Sequence, residues 1–93
     1  MSNIFSQNID KFFKNAIPLA DGQTGRRYTI LQCNLPQYLQ TRFAELGFVR
    51  GANVTIVKKA PLGDPVEINV MGYAVCVRSN ELKHITVVEA DDE

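Results

Sequence analysis

The chain has no tryptophan, one histidine and two cysteines in 93 residues, and its ten basic side chains are cancelled by ten acidic ones. Each shortage removes a class of function. A Ser-His-Asp or Cys-His device would have to be built on His84 alone, whose place beside Ile85 at a strand start suits an ordinary edge histidine. Cys33 and Cys76 are too few for a secreted disulfide framework. Neither has a second cysteine or histidine at ligand spacing, which argues against a closed zinc site and leaves both as small buried apolar residues. Gly22-Gln23-Thr24-Gly25 lacks the lysine and the following hydroxyl residue of a phosphate loop, so it is a turn. No catalytic residue is assigned, and the chain is not expected to be an enzyme.

A net charge of zero sets up no cationic field toward nucleic acid or anionic lipid. The three tyrosines, Tyr28, Tyr38 and Tyr73, fall on three different elements, which suits neither a base-stacking platform nor a proline-peptide groove. The apolar runs are too short to span a membrane, and the N-terminus lacks a signal-type apolar region. What remains is ordinary globular composition, 45% hydrophobic and 22% charged, in a chain with room for one core. The expectation is a soluble, cytoplasmic, single-domain protein without nucleic-acid binding or membrane insertion. Charge is nevertheless uneven along it. Arg26, Arg27, Arg42, Arg50, Lys58 and Lys59 crowd the middle, while acids prevail after Ala60. These either interleave as solvated side chains or form a dipolar surface that orients the domain on a partner.

Residues 1–18 look like an appended amphipathic helix, with Phe5, Ile9, Phe12, Phe13 and Ala16 on one face and Pro18 stopping it near Asn15. Arg27 to Cys33 is a strand around Tyr28, Ile30 and Leu31. A helix follows over 36–46, because Leu35, Leu39, Phe43 and Leu46 recur at helical spacing. Asn34 and Gln37 have the spacing of a capping box, with Pro36 in the first turn. Gly47 stands where a left-handed C-cap is wanted, so that Phe48 can reach back to Phe43. Strands are predicted for 53–60, for Val66, Ile68 and Val70, for 73–78, and for 84–89, with Gly72 as a tight turn and 79–82 as one helical turn. Five short strands with one inserted helix, joined by tight turns, predict a mainly β, small antiparallel barrel over 19–90, with an acidic tail at 91–93.

At the helix end a family pattern is recognisable. Leu46-Gly47-Phe48-Val49-Arg50-Gly51-Ala52-Asn53-Val54 resembles the L-G-x-x-x-G-x-x-V signature of the ferrous iron transport A (FeoA) family. Ala60-Pro61-Leu62-Gly63-Asp64-Pro65-Val66 is similar to that family's hallmark loop. Gly72, Val75, Val77, Arg78, Glu81, Ile85 and Val87 continue the match, which covers roughly 19–89. Arg50 stands where the family often has proline, and Ser79-Asn80-Glu81-Leu82 replaces a more usual Glu-Ala pair. The resemblance implies an SH3-like barrel. It also implies a cytoplasmic accessory to a FeoB-type membrane iron transporter, which carries a GTP-binding domain, and hence a location peripheral to the inner membrane through that partner.

The expected contact surface is the helix end with the proline-flanked loop: Arg42, Arg50, Pro61, Leu62, Asp64 and Pro65. Gly47, Gly51, Gly63 and Gly72 are expected to set turn geometry. Leu62 differs from these, since an apolar residue at a loop tip has little to cover it. A reading from another class is a metal-sensing domain, in which weak binding of Fe(II) or another divalent metal by Asp64, Glu67 or His84 changes affinity for a partner. Carboxylates on strands and loops are usually solvated, so no metal ligand is assigned.

Overall fold

A computed structural model of the chain describes residues 15–90. The helix expected over 1–18 and the acidic tail at 91–93 lie outside the described residues, apart from the last few positions of the former. Among those positions Ile17–Pro18 form a short strand, β1, where the sequence suggested the end of an appended helix. Two residues carry no periodicity, and only pairing with a distant strand makes them β. A single 3₁₀ turn, Leu19–Asp21, follows. The remaining elements are β2 (Arg27–Cys33), α1 (Gln37–Leu46), β3 (Asn53–Lys59), β4 (Val66–Val70), β5 (Tyr73–Val77), α2 (Ser79–Leu82) and β6 (Ile85–Glu89).

The strands form one antiparallel sheet in the order β1-β6-β2-β3-β4-β5. Its registers slip between Ile30 and Gln32 and between Ile56 and Lys58. Each slip inserts one extra residue, Leu31 or Val57, and such bulges sharpen the twist that curls a sheet. This is why Leu31 stands half-buried beside its fully buried neighbour Ile30, and why Val57 is exposed next to buried Ile56. The alternation predicted for β4 is realised, with Val66, Ile68 and Val70 buried and Asn69 exposed.

The curled sheet closes on Leu19, Ile30, Ile56, Ile68, Leu82, Ile85 and Val87, which are all fully buried. Tyr28 is also inside, and its hydroxyl accepts a hydrogen bond from the Gln23 backbone N–H at 2.8 Å. A buried phenol needs such a partner. Among the described residues β1 and β5 have strand neighbours on one side only, so the barrel stays open along that seam.

α1 covers the core with Leu39 and Phe43, and Leu35 is buried just before it. The capping box is not formed. Pro36 itself takes the N-cap position without a side-chain cap bond, and the Asn34 carboxamide oxygen instead accepts from Gln32 Nε2 at 3.2 Å. The C-terminus follows the sequence closely. Gly47 is left-handed at φ 107°. Its N–H donates to the Ala44 carbonyl, and the Phe48 N–H donates to the Phe43 carbonyl, both at 3.0 Å. These two bonds define a Schellman motif, and the Phe43 and Phe48 rings meet across it with centroids 5.3 Å apart. A Cβ at Gly47 would overlap Met71 Cγ and crowd Val70 Cγ2 at 3.1 Å. Conformation and close approach therefore both require glycine there.

Gly63 is also left-handed, at φ 96°, but nothing lies within 4 Å of where its Cβ would be. Gly63→Ala should thus carry only the left-handed penalty, about 1 kcal/mol. Gly47→Ala should cost roughly twice that, because a packed neighbour must also move. In a Met71→Ala background the excess should largely disappear, as a coupling of about 0.5 kcal/mol or more in urea melts. Equal costs at the two glycines would show that Met71 does not press on the cap.

Candidate functional site

The loop between β3 and β4 is held by two backbone bonds, Ala60 N–H to the Pro65 carbonyl at 3.0 Å and Gly63 N–H to the Ala60 carbonyl at 2.7 Å. The Asp64–Pro65 peptide is cis. This geometry puts Leu62 at the tip, where it is 98% exposed, with Pro61 also in solvent. Asp64 turns the other way. Its carboxylate accepts from the Ser79 backbone N–H at 2.7 Å and from the Ser79 hydroxyl at 3.0 Å, so it ties the loop to the first turn of α2. Those two hydrogen bonds hold the Asp64 carboxyl below the usual carboxylate range, and the Arg78 charge adds to the effect.

Three of the six residues expected to form a contact surface, Arg42, Asp64 and Pro65, line one polar depression of about 320 Å³ together with Cys76, Arg78 and Glu81. Arg50 is not among them. It lines a separate depression of about 540 Å³ beside Cys33, Leu35, Gln40 and Phe48. Pro61 and Leu62 project from the loop beside the polar depression. Cys76 corrects an expectation, because it is exposed rather than buried. Its even position on β5 puts it on the face opposite Val75 and Val77. Cys33 is half-buried, its thiol donates toward the Phe48 carbonyl at 3.3 Å, and burial pushes its pKa up.

A third depression, about 420 Å³, is lined by Leu46, Gly47, Val49, Met71, Tyr73 and Val75 among others. Met71 and Tyr73 are 67% and 72% exposed, and Val49 is also exposed. Met71 has φ 54° and Gly72 φ 83°, so the β4–β5 hairpin closes through a two-residue turn with both central residues left-handed. Asparagine or aspartate is the usual occupant of the first of those positions. A large apolar side chain stands there instead, mostly exposed and in a left-handed conformation that costs a β-carbon-bearing residue. The available signal was an apolar residue before Gly72 where turn chemistry wants a small polar one.

Among the described residues, no three His, Cys, Asp or Glu side chains gather into a group able to hold a metal ion. Asp64 is engaged by Ser79, Glu67 sits in β4 opposite Lys58 and Cys76, and His84 lies in the turn before β6. The arrangement as a whole offers apolar area, two arginines and a sheet edge side by side.

Comparison with known proteins identifies the family and the fold. Residues 17–89 match the model of the FeoA domain. Over 69 residues the chain is 35% identical to the Fe(2+) transport protein A/Fe(2+) transporter FeoB fusion protein of Porphyromonas gingivalis, a match covering 74% of this chain and 8% of that protein. The chain therefore spans less than a tenth of that relative's length. The solution structure of FeoA from Chlorobium tepidum superposes with a TM-score of 0.77 at 32% identity, covering 83% of this chain and 73% of that one. FeoA from Stenotrophomonas maltophilia, solved with zinc and described as a prokaryotic SH3 domain protein, gives 0.66 at 26% identity, covering 74% and 86%. The fold is SH3-like.

Two predictions follow from the geometry. A carboxylate whose folded pKa lies below its unfolded value, about 3.9 for Asp, contributes stability that is complete above the unfolded value. That contribution is lost as pH falls through the folded one. Asp64→Asn should accordingly destabilise the domain near pH 7, and the difference from wild type should shrink as urea melts are repeated toward about pH 3. A difference independent of pH would show that the Asp64 charge is not engaged. Met71→Asn should raise stability by about 0.5–1 kcal/mol by relieving the left-handed strain. A lower urea midpoint would instead make Met71 a stabilising contact.

Proposed function

The chain belongs to the FeoA domain family, and on that footing we propose that it is a non-catalytic interaction module of ferrous iron uptake, acting in the cytoplasm on the GTP-binding domain of a FeoB-type transporter. One observation carries the reading. In the Porphyromonas gingivalis relative, the part matching this chain is fused to a FeoB transporter. Fusion holds two modules together at high effective concentration, where even a weak contact surface on this domain suffices to engage the transporter. No helix among the described residues is long and apolar enough to cross a membrane; in this reading the transporter is the membrane component.

The surface described above supports this role. Leu62 is an apolar residue presented at a loop tip and braced by the Asp64–Ser79 bonds, at no benefit to the core. Burying such a side chain in a partner removes apolar area from water, whereas leaving it exposed stabilises nothing.

Leu62→Asp should leave stability within about 0.5 kcal/mol of wild type, as surface substitutions do. It should weaken binding to the transporter's GTP-binding domain about tenfold or more, because the interface would bury an unpaired carboxylate. Calorimetric titration of the two purified proteins measures this, and Fe(II) uptake by cells carrying the variant should fall with it. A folded variant that binds and supports uptake normally would remove the loop from the interface. Absence of binding by the wild-type chain would remove the partner.

A further inference from the structure

The depression beside Arg50 differs from the other two in what its side chains still lack. Its buried members are Leu35 and Phe48, with Leu31 and Cys33 half-buried, and its polar members Gln32, Gln40 and Arg50 are exposed. No aspartate or glutamate lines it. Its volume of about 540 Å³ lies within the range of small-ligand pockets, roughly 300–1,000 Å³. An apolar surface and one positive charge thus share a single concavity.

Its hydrogen-bonding capacity is only partly used. Gln40 Nε2 donates to the Leu35 carbonyl at 3.0 Å, and Gln32 Nε2 donates to Asn34 Oδ1 at 3.2 Å. The Cys33 thiol is turned toward the Phe48 carbonyl. Each glutamine is thereby anchored through its nitrogen, which leaves the carboxamide oxygen as an acceptor without a partner among the described residues. Arg50 forms no hydrogen bond or ion pair among them, where the ion pair formed is Arg26 with Glu89. A guanidinium presents its N–H donors in a planar fork that matches a carboxylate. The depression therefore wants three complements: an anion for Arg50, an N–H donor for a glutamine oxygen and an apolar group for Leu31, Leu35 and Phe48.

We propose that this depression binds the C-terminal residue of a partner polypeptide whose last side chain is aliphatic. Such a residue carries all three complements on one unit. Its carboxylate pairs with Arg50, its backbone N–H donates to the carboxamide oxygen of Gln40 or Gln32, and its side chain covers Leu35 and Phe48. Other ligands meet only part of the demand. An inorganic anion brings no apolar group, and a fatty acid brings no N–H donor. A metal cation would face a guanidinium with no carboxylate to hold it. The proposal rests on neither the family nor the transporter.

The peptide acetyl-Gly-Ser-Leu with a free C-terminus is the probe, titrated into the full chain and followed by NMR. Saturable shifts are expected at the Arg50 Nε–H and at the Leu31, Phe48 and Val49 amides at millimolar peptide. Amidation of the peptide's C-terminus should weaken binding at least tenfold, since it removes the charge that Arg50 pairs with. Aspartate in place of the leucine should weaken it to a similar degree. Isocaproate keeps the carboxylate and the aliphatic chain but has no N–H, and it should bind at least fivefold more weakly than the peptide. Arg50→Gln should weaken the free acid at least fivefold and abolish the preference for acid over amide, at an unchanged urea midpoint. Absence of saturable shifts, or equal binding of acid and amide by the wild-type chain, would overturn the proposal. So would isocaproate or inorganic phosphate binding as tightly as the peptide, which would assign the depression to small anions. No transporter enters this experiment, so its outcome is independent of the function proposed above.

Discussion

The surface of this domain depends on how α1 ends. Gly47 reverses the chain in a left-handed conformation, its N–H and that of Phe48 close the Schellman motif, and the Phe43–Phe48 ring contact seals it. Because Gly47 has no Cβ, the β4–β5 turn can sit against the reversal with Met71 at contact distance. The cap thereby fixes the position of the hairpin relative to the helix. Arg42, one turn earlier on α1, faces the far end of the same hairpin across the polar depression. A single backbone requirement thus couples core, helix end and both candidate contact regions.

That coupling suits the recognition role proposed above. A small domain has little stability to spare, yet this one keeps an apolar residue in a strained turn, another at a loop tip and an uncharged strand edge open to solvent. The same domain staples its β3–β4 loop to α2 through Asp64. Proteins tolerate such costs where they serve contact.

The helix and its cap were legible because they are local. Leu35, Leu39 and Phe43 declare the buried face within three turns, and a glycine followed by an aromatic declares the reversal. The exposure of Leu62 was legible for the same reason. The capping box failed because Asn34 found a nearer partner in Gln32 and Pro36 took the cap position. β1 was illegible, since two residues become a strand only through pairing with Thr86 and Val87. The polar depression draws on α1, the β3–β4 loop and β5, and no spacing reveals that Arg42 and Arg78 converge. Cys76 misled because cysteine is usually buried, whereas position on an edge strand decided its exposure.

On the function proposed above, the transporter's GTP-binding domain is recognised through the side that carries the β3–β4 loop. Amide hydrogen exchange of the full chain, measured with and without that domain, tests it most directly. Slowed exchange is expected at Leu62 and Gly63, with β1 and β6 unchanged. Slowed exchange confined to β1 and β6, or none anywhere at saturating partner, would contradict it.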